Sequence, residues 1–250
     1  MTVVLVHGNP ETEAVWDLLS ERLAARGRTD QVRLSPPGFG APVPDGWTAS
    51  VDEYRDWLVA ELERIGEPVD LVGHDWGGGH VLNVAMSRPD LLHSWCSDVV
   101  GIYDPDYVWH DLAQVWQTPA KGEEAIEARL ATPVEQAAQG LVALGMDPGV
   151  AQRVSSGFDA VMGRCILALY RSAAQPVLRD LGARLPDAAA RPGLALTATE
   201  DHFVGTDEQR RRAAARAGAR VGVLDGLGHW WMTQDPERGA AMLTEFWDSL

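Results

Sequence analysis

Short, mostly apolar runs alternate along this chain with longer stretches of helical periodicity. Such runs are typical of strands in a parallel sheet whose two faces are both covered by helices. The predicted strands are Val3–Val6, Gln31–Leu34, Val69–Val72, His93–Val100, Leu194–Ala198 and Arg220–Leu224. We therefore predict an α/β fold with a mostly parallel, doubly wound sheet.

The segments between these runs predict amphipathic helices. They cover Ala14–Arg26, Ser50–Ile65, the stretch from the Gly73–Gly79 turn to about Ser87, Asp207–Ala217 and Glu237–Leu250. Residues 104–185 show helical patterns and no convincing strand. We therefore predict a core formed by residues 1–103 and 186–250. Residues 104–185 are predicted to form a helical cap over the carboxyl edge of the sheet, where such sheets bind ligands.

Composition limits the kinds of partner. The chain has 250 residues, 46% of them hydrophobic, which is enough to bury a sizeable core. A net charge of −15 disfavours nucleic acid as a partner, because phosphate backbones would be repelled. Two cysteines without metal-ligand spacing predict neither a disulfide framework nor a metal site, and no cofactor motif is seen. Without a signal-peptide pattern or a membrane-length apolar run, we expect a cytoplasmic protein that takes a small-molecule substrate. A homodimer is left open.

The segment Gly73–Gly78, GHDWGG, lies directly between a predicted strand and a predicted helix. A sharp strand-to-helix turn requires small residues on both sides of its central residue, because side chains there would collide. That central residue is Asp75. It would project above the sheet, next to backbone N–H groups at the start of a helix. A plain glycine-rich turn capped by Asp75 is the alternative interpretation.

Two later residues strengthen the catalytic interpretation. Asp201 follows the strand Leu194–Ala198, and His229 follows the strand Arg220–Leu224. A nucleophile, an acid and a histidine in this chain order, each after a strand, are what a catalytic triad on such a sheet requires. Asp98 and Asp104 are rival candidates for the acid because they follow an earlier strand.

These motifs resemble the α/β-hydrolase superfamily, and specifically its aspartate-nucleophile branch of epoxide hydrolases and haloalkane dehalogenases. The resemblance covers nearly the whole chain, and its most specific part is the turn at Asp75. It extends to three other segments, His7–Glu11, Pro37–Gly40 and Gly228–Trp230. The leading strands usual in the family are not seen before His7, so a smaller sheet is expected. The fold implied is an α/β-hydrolase fold with an inserted helical cap.

The resemblance implies a two-step reaction. Asp75 attacks a substrate carbon and forms an alkyl-enzyme ester. His229, oriented by Asp201, then activates the water that hydrolyses this ester. The backbone N–H groups of Trp76 and Asn9 stabilise the oxyanion. His74 and His7 are expected to pack or hydrogen-bond locally and not to act as bases.

Two leaving groups fit this reaction, and an epoxide oxygen is the first choice. The segment Leu169–Arg171 resembles the tyrosine–arginine cap motif of epoxide hydrolases, which makes Tyr170 the proton donor to the leaving oxygen. The first cap tyrosine of that family is not found in the segment Gln114–Pro119, and Tyr103 or Tyr107 is a possible substitute. Several tryptophans in or beside the cap, at positions 95, 109 and 116, suit a small apolar substrate.

A halide is the alternative leaving group. The Asn9 amide and the Trp76 indole resemble the halide-binding pair of haloalkane dehalogenases. Fluoroacetate-type dehalogenation is less expected, because Gly77–Gly79 offers no arginine for a carboxylate. A non-catalytic ligand-binding protein of the same fold is a further alternative. A serine esterase is disfavoured, because no serine occupies the position of Asp75.

Overall fold

The computed structural model of the protein describes all of residues 1–250 and contains one six-stranded, fully parallel sheet. Its strands lie in the order β2-β1-β3-β4-β5-β6. They are β1 (Val3–Val6), β2 (Gln31–Leu34), β3 (Val69–Gly73), β4 (Leu92–Ser97), β5 (Gly193–Ala198) and β6 (Arg220–Leu224). The predicted parallel, doubly wound sheet is confirmed.

The chain forms twelve α-helices. They are α1 (Asp17–Ala25), α2 (Val51–Ile65), α3 (Trp76–Ser87), α4 (Asp111–Gln117), α5 (Lys121–Ala131), α6 (Val134–Ala143), α7 (Pro148–Ser156), α8 (Ala160–Ser172), α9 (Val177–Gly182), α10 (Asp207–Arg216), α11 (Trp231–Gln234) and α12 (Pro236–Asp248). Short 3₁₀ turns form at Glu13–Trp16, Pro89–Leu91, Val100–Tyr103 and Leu185–Ala190. None of the helices is long and apolar enough to cross a bilayer.

Two hydrophobic cores lie on opposite faces of the sheet. Successive residues of a strand point to opposite faces, so Val4 and Val6 of β1 join one core while Val3 and Leu5 join the other. The larger core contains 42 buried residues and the smaller one 25. This double burial explains why β1 is continuously apolar, as the sequence suggested.

One predicted strand was too long. The sequence predicted a strand over His93–Val100, but β4 ends at Ser97, and a 3₁₀ turn begins at Val100. Asp98 leaves the sheet because its carboxylate turns back to accept a hydrogen bond from the backbone N–H of Asp75. The apolar residues Val99 and Val100 continue the pattern in sequence, but they are buried in the larger core and not in the strand.

Between β4 and β5 the chain forms only helical elements, from α4 to α9 with short 3₁₀ turns on either side. These helices occupy the segment 104–185 that was predicted to form a cap, and that segment contains no strand. Arg171 of α8 forms two hydrogen bonds to Glu123 of α5, at 2.8 Å each, so these two helices are linked at their surface as well as by packing.

The contact between α3 and β1 fixes the position of the turn at Asp75, between β3 and α3. A Cβ added to Gly77 would lie 2.1 Å from the carbonyl oxygen of Val6, closer than any side chain tolerates. Only glycine therefore allows α3 to start this close to the end of β1. The close approach brings the N-terminus of α3 beside the loop that follows β1.

We predict that Gly77→Ala lowers the free energy of unfolding by about 3 kcal/mol, at the upper end for overpacking. The matched control is Gly140→Ala in α6, where an added Cβ meets nothing within 4 Å. That variant should gain about 0.5–1 kcal/mol, because alanine is the better helix former. Urea unfolding of both variants measures the difference. Equal effects of the two substitutions would show that the close approach to Val6 does not constrain the fold.

Candidate active site

Asp75 lies at a sharp turn between β3 and α3. Its backbone has φ 50° and ψ −129°, a conformation rarely adopted by L-residues that costs on the order of 1–3 kcal/mol. Two glycines leave space for it. A Cβ on Gly73 would lie 2.4 Å from the carbonyl oxygen of Gly77, and a Cβ on Gly8 would lie 2.2 Å from Oδ1 of Asp75. The turn expected from the glycine pattern is present, with Asp75 at its centre.

Three of the predicted site residues lie together. The Nδ1 atom of His229 lies 2.8 Å from Oδ2 of Asp201, and its Nε2 atom lies 3.8 Å from Oδ2 of Asp75. The first distance is a hydrogen bond. The second is too long for one, so the imidazole and the central carboxylate face each other across a gap. Residues from the ends of β3, β5 and β6 therefore meet at the carboxyl edge of the sheet.

Charges stabilise the His229–Asp201 pair. Burial lowers the pKa of His229, but the Asp201 carboxylate outweighs this and leaves that pKa above its ordinary value. Burial also raises the pKa of Asp201, yet the facing imidazole brings it down to about 2. Asp201 is therefore ionised at neutral pH and holds the Nδ1–H of His229, which directs Nε2 towards Asp75.

Asp75 is in a different electrostatic position. Burial raises its pKa to about 6, against the opposing charge of His229. One of its oxygens, Oδ1, accepts a hydrogen bond of 2.9 Å from the backbone N–H of Asn9. The other oxygen faces His229. The Asp75 carboxylate is thus desolvated and has a pKa near neutral pH. Only one of its oxygens is held by a hydrogen bond, which suits a nucleophile.

The rival acids have other partners. Asp98 accepts hydrogen bonds from the Trp231 indole at 2.8 Å, from the Asp75 backbone N–H at 3.0 Å and from Nδ1–H of His74. Asp104 pairs with Arg212 at 2.7 Å. Only Asp201 among the three candidates contacts His229. Asp98 instead stabilises the turn at Asp75 by accepting the hydrogen bond from the Asp75 backbone N–H.

Glu11 joins this network and was not singled out from the sequence. It is 1% exposed and accepts hydrogen bonds from Nε2–H of His74 at 3.1 Å, from the Trp230 indole and from the backbone N–H of Gly8. Burial raises the pKa of Glu11, but the neighbouring imidazole of His74 lowers it to about 2. Glu11 lies in the segment His7–Glu11 that resembles the family, but the sequence did not predict this network, because the partners of Glu11 come from distant parts of the chain.

His74 carries a proton on both ring nitrogens, since both donate to carboxylates. Burial lowers its pKa, but Glu11 and Asp98 together raise it well above the ordinary value. Glu11, His74 and His229 offer ligand atoms within 4.8 Å of one another, which is metal-like spacing. His74 has no free lone pair in this arrangement, so the group forms a hydrogen-bond network. His74 is a buried cation and not a base.

A hollow of about 130 Å³ opens onto the facing side chains of Asp75 and His229. Its other lining residues are Asn9, Pro10, His110, Leu112, Trp116, Leu141, Leu144, Tyr170, Phe203 and Trp230. A second, apolar hollow of about 330 Å³ shares five of these residues and extends between the helices α4 to α6. The site is therefore a cavity between the sheet edge and the cap helices, and mostly apolar side chains surround it.

A family model described as the alpha/beta hydrolase family matches residues 3–242, which is nearly the whole chain. The protein belongs to the α/β-hydrolase family. Its triad candidates lie where this fold carries chemistry.

Two curated relatives of the hydrolase match parts of it. The "probable oxidoreductase EphD" of Mycobacterium tuberculosis is 38% identical over 126 residues, covering 46% of this chain and 21% of that protein. A pimeloyl-[acyl-carrier protein] methyl ester esterase of Aeromonas salmonicida is 33% identical over 94 residues, covering 37% of this chain and 35% of that protein. The matched regions span about a fifth and a third of these two relatives.

Solved structures match the hydrolase over its whole length. The haloalkane dehalogenase DbeA from Bradyrhizobium elkani has a TM-score of 0.73 at 19% identity, covering 100% of this chain and 91% of that chain. A mutant of a Pseudomonas aeruginosa protein described as an epoxide hydrolase has a TM-score of 0.78 at 20% identity, covering 99% and 88%. At these identities the likeness concerns the fold.

Tyr170 of the hydrolase lies in α8 and lines the hollow beside Asp75. Its ring meets Trp76 edge-on at a centroid distance of 5.4 Å. Burial raises its pKa well above the ordinary value, and the nearby Asp75 carboxylate adds to this. The hydroxyl therefore keeps its proton at neutral pH and is available as a donor.

The expected substitutes for the first cap tyrosine do not supply a free hydroxyl. Tyr103 is buried, with its hydroxyl 2.9 Å from the Asn83 amide oxygen and 3.0 Å from the Gly79 carbonyl. The hydroxyl of Tyr107 donates to the Phe203 carbonyl at 2.8 Å. Both hydroxyl hydrogens are committed to the protein, and a role of either residue as the first cap tyrosine stays a prediction.

The tryptophans divide between the site and the core. Trp116 lines the first hollow described above, as expected. Trp109 lines a smaller hollow that also includes Asp75 and Tyr170. Trp95 lies in β4, and its indole donates to the Ala188 carbonyl, so it is a core residue far from the cavity lining. Asn9 is 4% exposed, and neither atom of its side-chain amide has a hydrogen-bond partner within the chain.

Glu11 should make the stability of the hydrolase depend on pH. Its pKa is about 2 in the fold against 4.5 as its ordinary value, so the unfolded chain binds the proton more readily. The stabilisation is complete above pH 4.5 and is lost as the pH falls towards 2. It amounts to on the order of 3 kcal/mol.

We predict that between about pH 5 and pH 3 the free energy of unfolding falls less steeply with decreasing pH in Glu11→Gln than in wild type. The difference in slope should correspond to about one bound proton. The variant should also be less stable at neutral pH, because His74 loses a charged partner. Urea unfolding across this range measures both effects. Glu13→Gln, which removes an exposed carboxylate from the same region, is the control. Parallel pH profiles for wild type and Glu11→Gln would contradict the prediction.

Proposed function

We propose that the protein hydrolyses a small apolar epoxide to a diol through an alkyl-enzyme ester on Asp75. The observation that carries the proposal is the gap of 3.8 Å between Oδ2 of Asp75 and Nε2 of His229, at the wall of an apolar hollow. A carboxylate nucleophile suits this substrate class, because the ester it forms can be cleaved by water while the ether that a serine would form cannot.

In the first step Oδ2 of Asp75 attacks an epoxide carbon. A carbon–oxygen bond to the enzyme forms, the ring bond breaks, and the leaving oxygen takes the proton of Tyr170. Oδ1, held by the backbone N–H of Asn9 at 2.9 Å, becomes the carbonyl oxygen of the ester. The raised pKa of the Tyr170 hydroxyl is suited to this step, since an alkoxide is a still stronger base.

In the second step a water molecule near His229 loses a proton to Nε2 and attacks the ester carbonyl. Asp201 balances the imidazolium that forms, and the backbone N–H groups of Asn9 and Trp76 stabilise the oxyanion. Collapse of this intermediate breaks the bond between the carbonyl carbon and Oδ2, and the leaving diol oxygen takes the proton from His229. The remaining proton of the water passes from the new Asp75 carboxyl group to the Tyr170 oxygen, which restores Asp75, His229 and Tyr170. The roles of Asp75, His229, Asp201, Tyr170, Asn9 and Trp76 are part of the proposal.

A trapping experiment tests the nucleophile. We predict that His229→Gln accumulates an ester when mixed with 1,2-epoxyhexane, because the second step lacks its base. Intact-mass spectrometry should show one added substrate, and peptide mapping should place it on Asp75. The double variant with Asp75→Asn is the matched control and should show no adduct. An unmodified mass for His229→Gln with both epoxides and haloalkanes would favour a ligand-binding protein without this chemistry.

Haloalkane dehalogenation is the second candidate, and one observation favours it. The side-chain amide of Asn9 is buried and unpaired next to the nucleophile, as a halide-binding donor would be. Together with the Trp76 indole it would supply two N–H donors to a leaving halide, which needs no proton. Epoxide hydrolysis remains first, because Tyr170 offers a protonated hydroxyl in the same hollow.

Paired assays of diol and halide release distinguish the two candidates. We predict that Tyr170→Phe lowers diol formation about 100-fold, the lower end of what a general acid contributes. Asn9→Ala keeps the backbone N–H and should leave diol formation within a few fold of wild type. Halide release from 1-bromohexane that depends on Asn9 and not on Tyr170 would reverse the order of the two candidates.

A further inference from the structure

The second hollow contains one charged side chain, which the proposed reaction does not use. The lining of this hollow is apolar except for Arg129 of α5 and Thr132. The Thr132 hydroxyl donates to the Ala128 carbonyl at 2.8 Å, so its hydrogen already has an acceptor. Arg129 is therefore the polar group that a molecule in this hollow would meet. A cation in apolar surroundings is costly unless an anion pairs with it.

Arg129 has no carboxylate partner within the chain. One N–H of its guanidinium donates to the Ser155 carbonyl at 3.4 Å, and its central carbon lies 4.5 Å from the centroid of the Phe158 ring. Burial lowers the pKa of Arg129, and no acidic group opposes this effect. An arginine nevertheless stays protonated. In contrast, Arg171 of the same cap pairs with both oxygens of Glu123.

The ring of Phe158 also lines the second hollow. Its contact with the guanidinium is a cation–π interaction, which keeps the cation at the wall and uses none of its N–H groups. Four of the five N–H groups of Arg129 therefore have no acceptor in the chain. An anion in the hollow would supply the missing acceptors.

The two hollows connect Arg129 with the candidate nucleophile. They share five apolar lining residues, Pro10, Leu112, Trp116, Leu141 and Leu144. The hollows therefore adjoin. Asp75 and His229 line only the first hollow, and Arg129 lines only the second. A molecule that occupies both would have one end at the reacting side chains and the other end at the guanidinium.

The shared wall leaves apolar surface uncovered. Leu112 is 47% exposed and Leu144 is 58% exposed, although both belong to the lining of the two hollows. An alkyl chain that lies across both hollows would cover these side chains and remove their apolar surface from water. The combined hollow thus suits an apolar chain with an anionic end.

We propose that the substrate is an epoxide on an alkyl chain that ends in a carboxylate, and that Arg129 binds this carboxylate. This inference rests on the proposed epoxide chemistry. A planar guanidinium can donate two parallel hydrogen bonds to the two oxygens of a carboxylate. A phosphate dianion would keep one charge unpaired, because Arg129 is the only cation in the lining of the second hollow. Arg129 lies apart from the reacting atoms, so it selects the substrate and takes no part in bond formation.

Binding of an unreactive acid tests the carboxylate site without the chemistry. Octanoate has the chain and the carboxylate but no epoxide, and 1-octanol is its neutral analogue. In Arg129→Gln we expect the Kd of octanoate to rise about tenfold, the lower end for a hydrogen bond to a charged group, with the Kd of 1-octanol unchanged. Isothermal titration calorimetry measures both values, and unchanged binding of 1-octanol also shows that the variant folds.

The matched control is Arg164→Gln. Arg164 is an exposed arginine of α8 that hydrogen-bonds only the Ala160 carbonyl and lines neither of the two hollows. Its substitution removes the same charge from the cap, and the Kd values of both ligands should stay as in wild type.

Turnover then tests the substrate class. The substrates are 5,6-epoxyhexanoate, 7,8-epoxyoctanoate and 10,11-epoxyundecanoate, each compared with the epoxy alcohol of the same length. For at least one of the acids we expect Arg129→Gln to raise KM about tenfold and to keep kcat, because the lost contact is the same in the ground state and the transition state. The KM of the matching alcohol should not change.

The outcomes separate this inference from the proposed function. Octanoate binding that depends on Arg129, without hydrolysis of any epoxide, would overturn the epoxide chemistry and keep Arg129 as a carboxylate site for another substrate class. Hydrolysis of 1,2-epoxyhexane, with acids and alcohols of every length affected equally by Arg129→Gln, would overturn the carboxylate site and keep the epoxide chemistry. An equal loss of octanoate affinity in Arg164→Gln would show that the overall charge of the cap governs binding, and would also overturn the site.

Discussion

The His74 imidazolium connects the parts of the chain that form the active site. Its two N–H groups donate to Glu11, in the loop after β1, and to Asp98, after β4. Glu11 also holds the Trp230 indole next to His229, and Asp98 holds the backbone N–H of Asp75. One buried cation between two carboxylates thus fixes the relative positions of the loops that carry Asp75, Asn9 and His229. Removing the cation or either carboxylate would leave an uncompensated charge in the interior.

The sequence predicted what depends on local pattern. β1 is continuously apolar because both of its faces are covered. The turn at Asp75 needs glycine at the points where two backbone segments come close together. Both features could therefore be predicted from residue type. The pairing of His229 with Asp201 followed from chain order, although Asp98 and Asp104 were chemically equivalent candidates. Their exclusion depends on Arg212, Trp231 and His74, which only the fold brings to them.

What the sequence could not predict depends on contacts between distant segments. Glu11 looks like an ordinary loop carboxylate, and its burial depends on His74 and Trp230. The free or committed state of a tyrosine hydroxyl is equally non-local. Tyr107 has the residue type required of a donor, but a single backbone carbonyl, that of Phe203, takes its hydrogen. His110 shows only a helix-cap position in the sequence, which does not reveal the cavity behind it.

The two oxygens of Asp75 have different surroundings, and the proposed route requires this difference. The same carboxylate must first act as a nucleophile and then as the electrophilic carbon that water attacks. Because Asn9 holds Oδ1 and the strained turn holds the backbone, the side chain cannot exchange its oxygens without breaking that hydrogen bond. Oδ2 is therefore the atom that forms the ester. The carbonyl carbon of the ester therefore stays near His229, whose Nε2 atom lies 3.8 Å from Oδ2 of Asp75. The hydrogen bond from Asn9 to Oδ1 thus favours the proposed chemistry by fixing which oxygen performs each step.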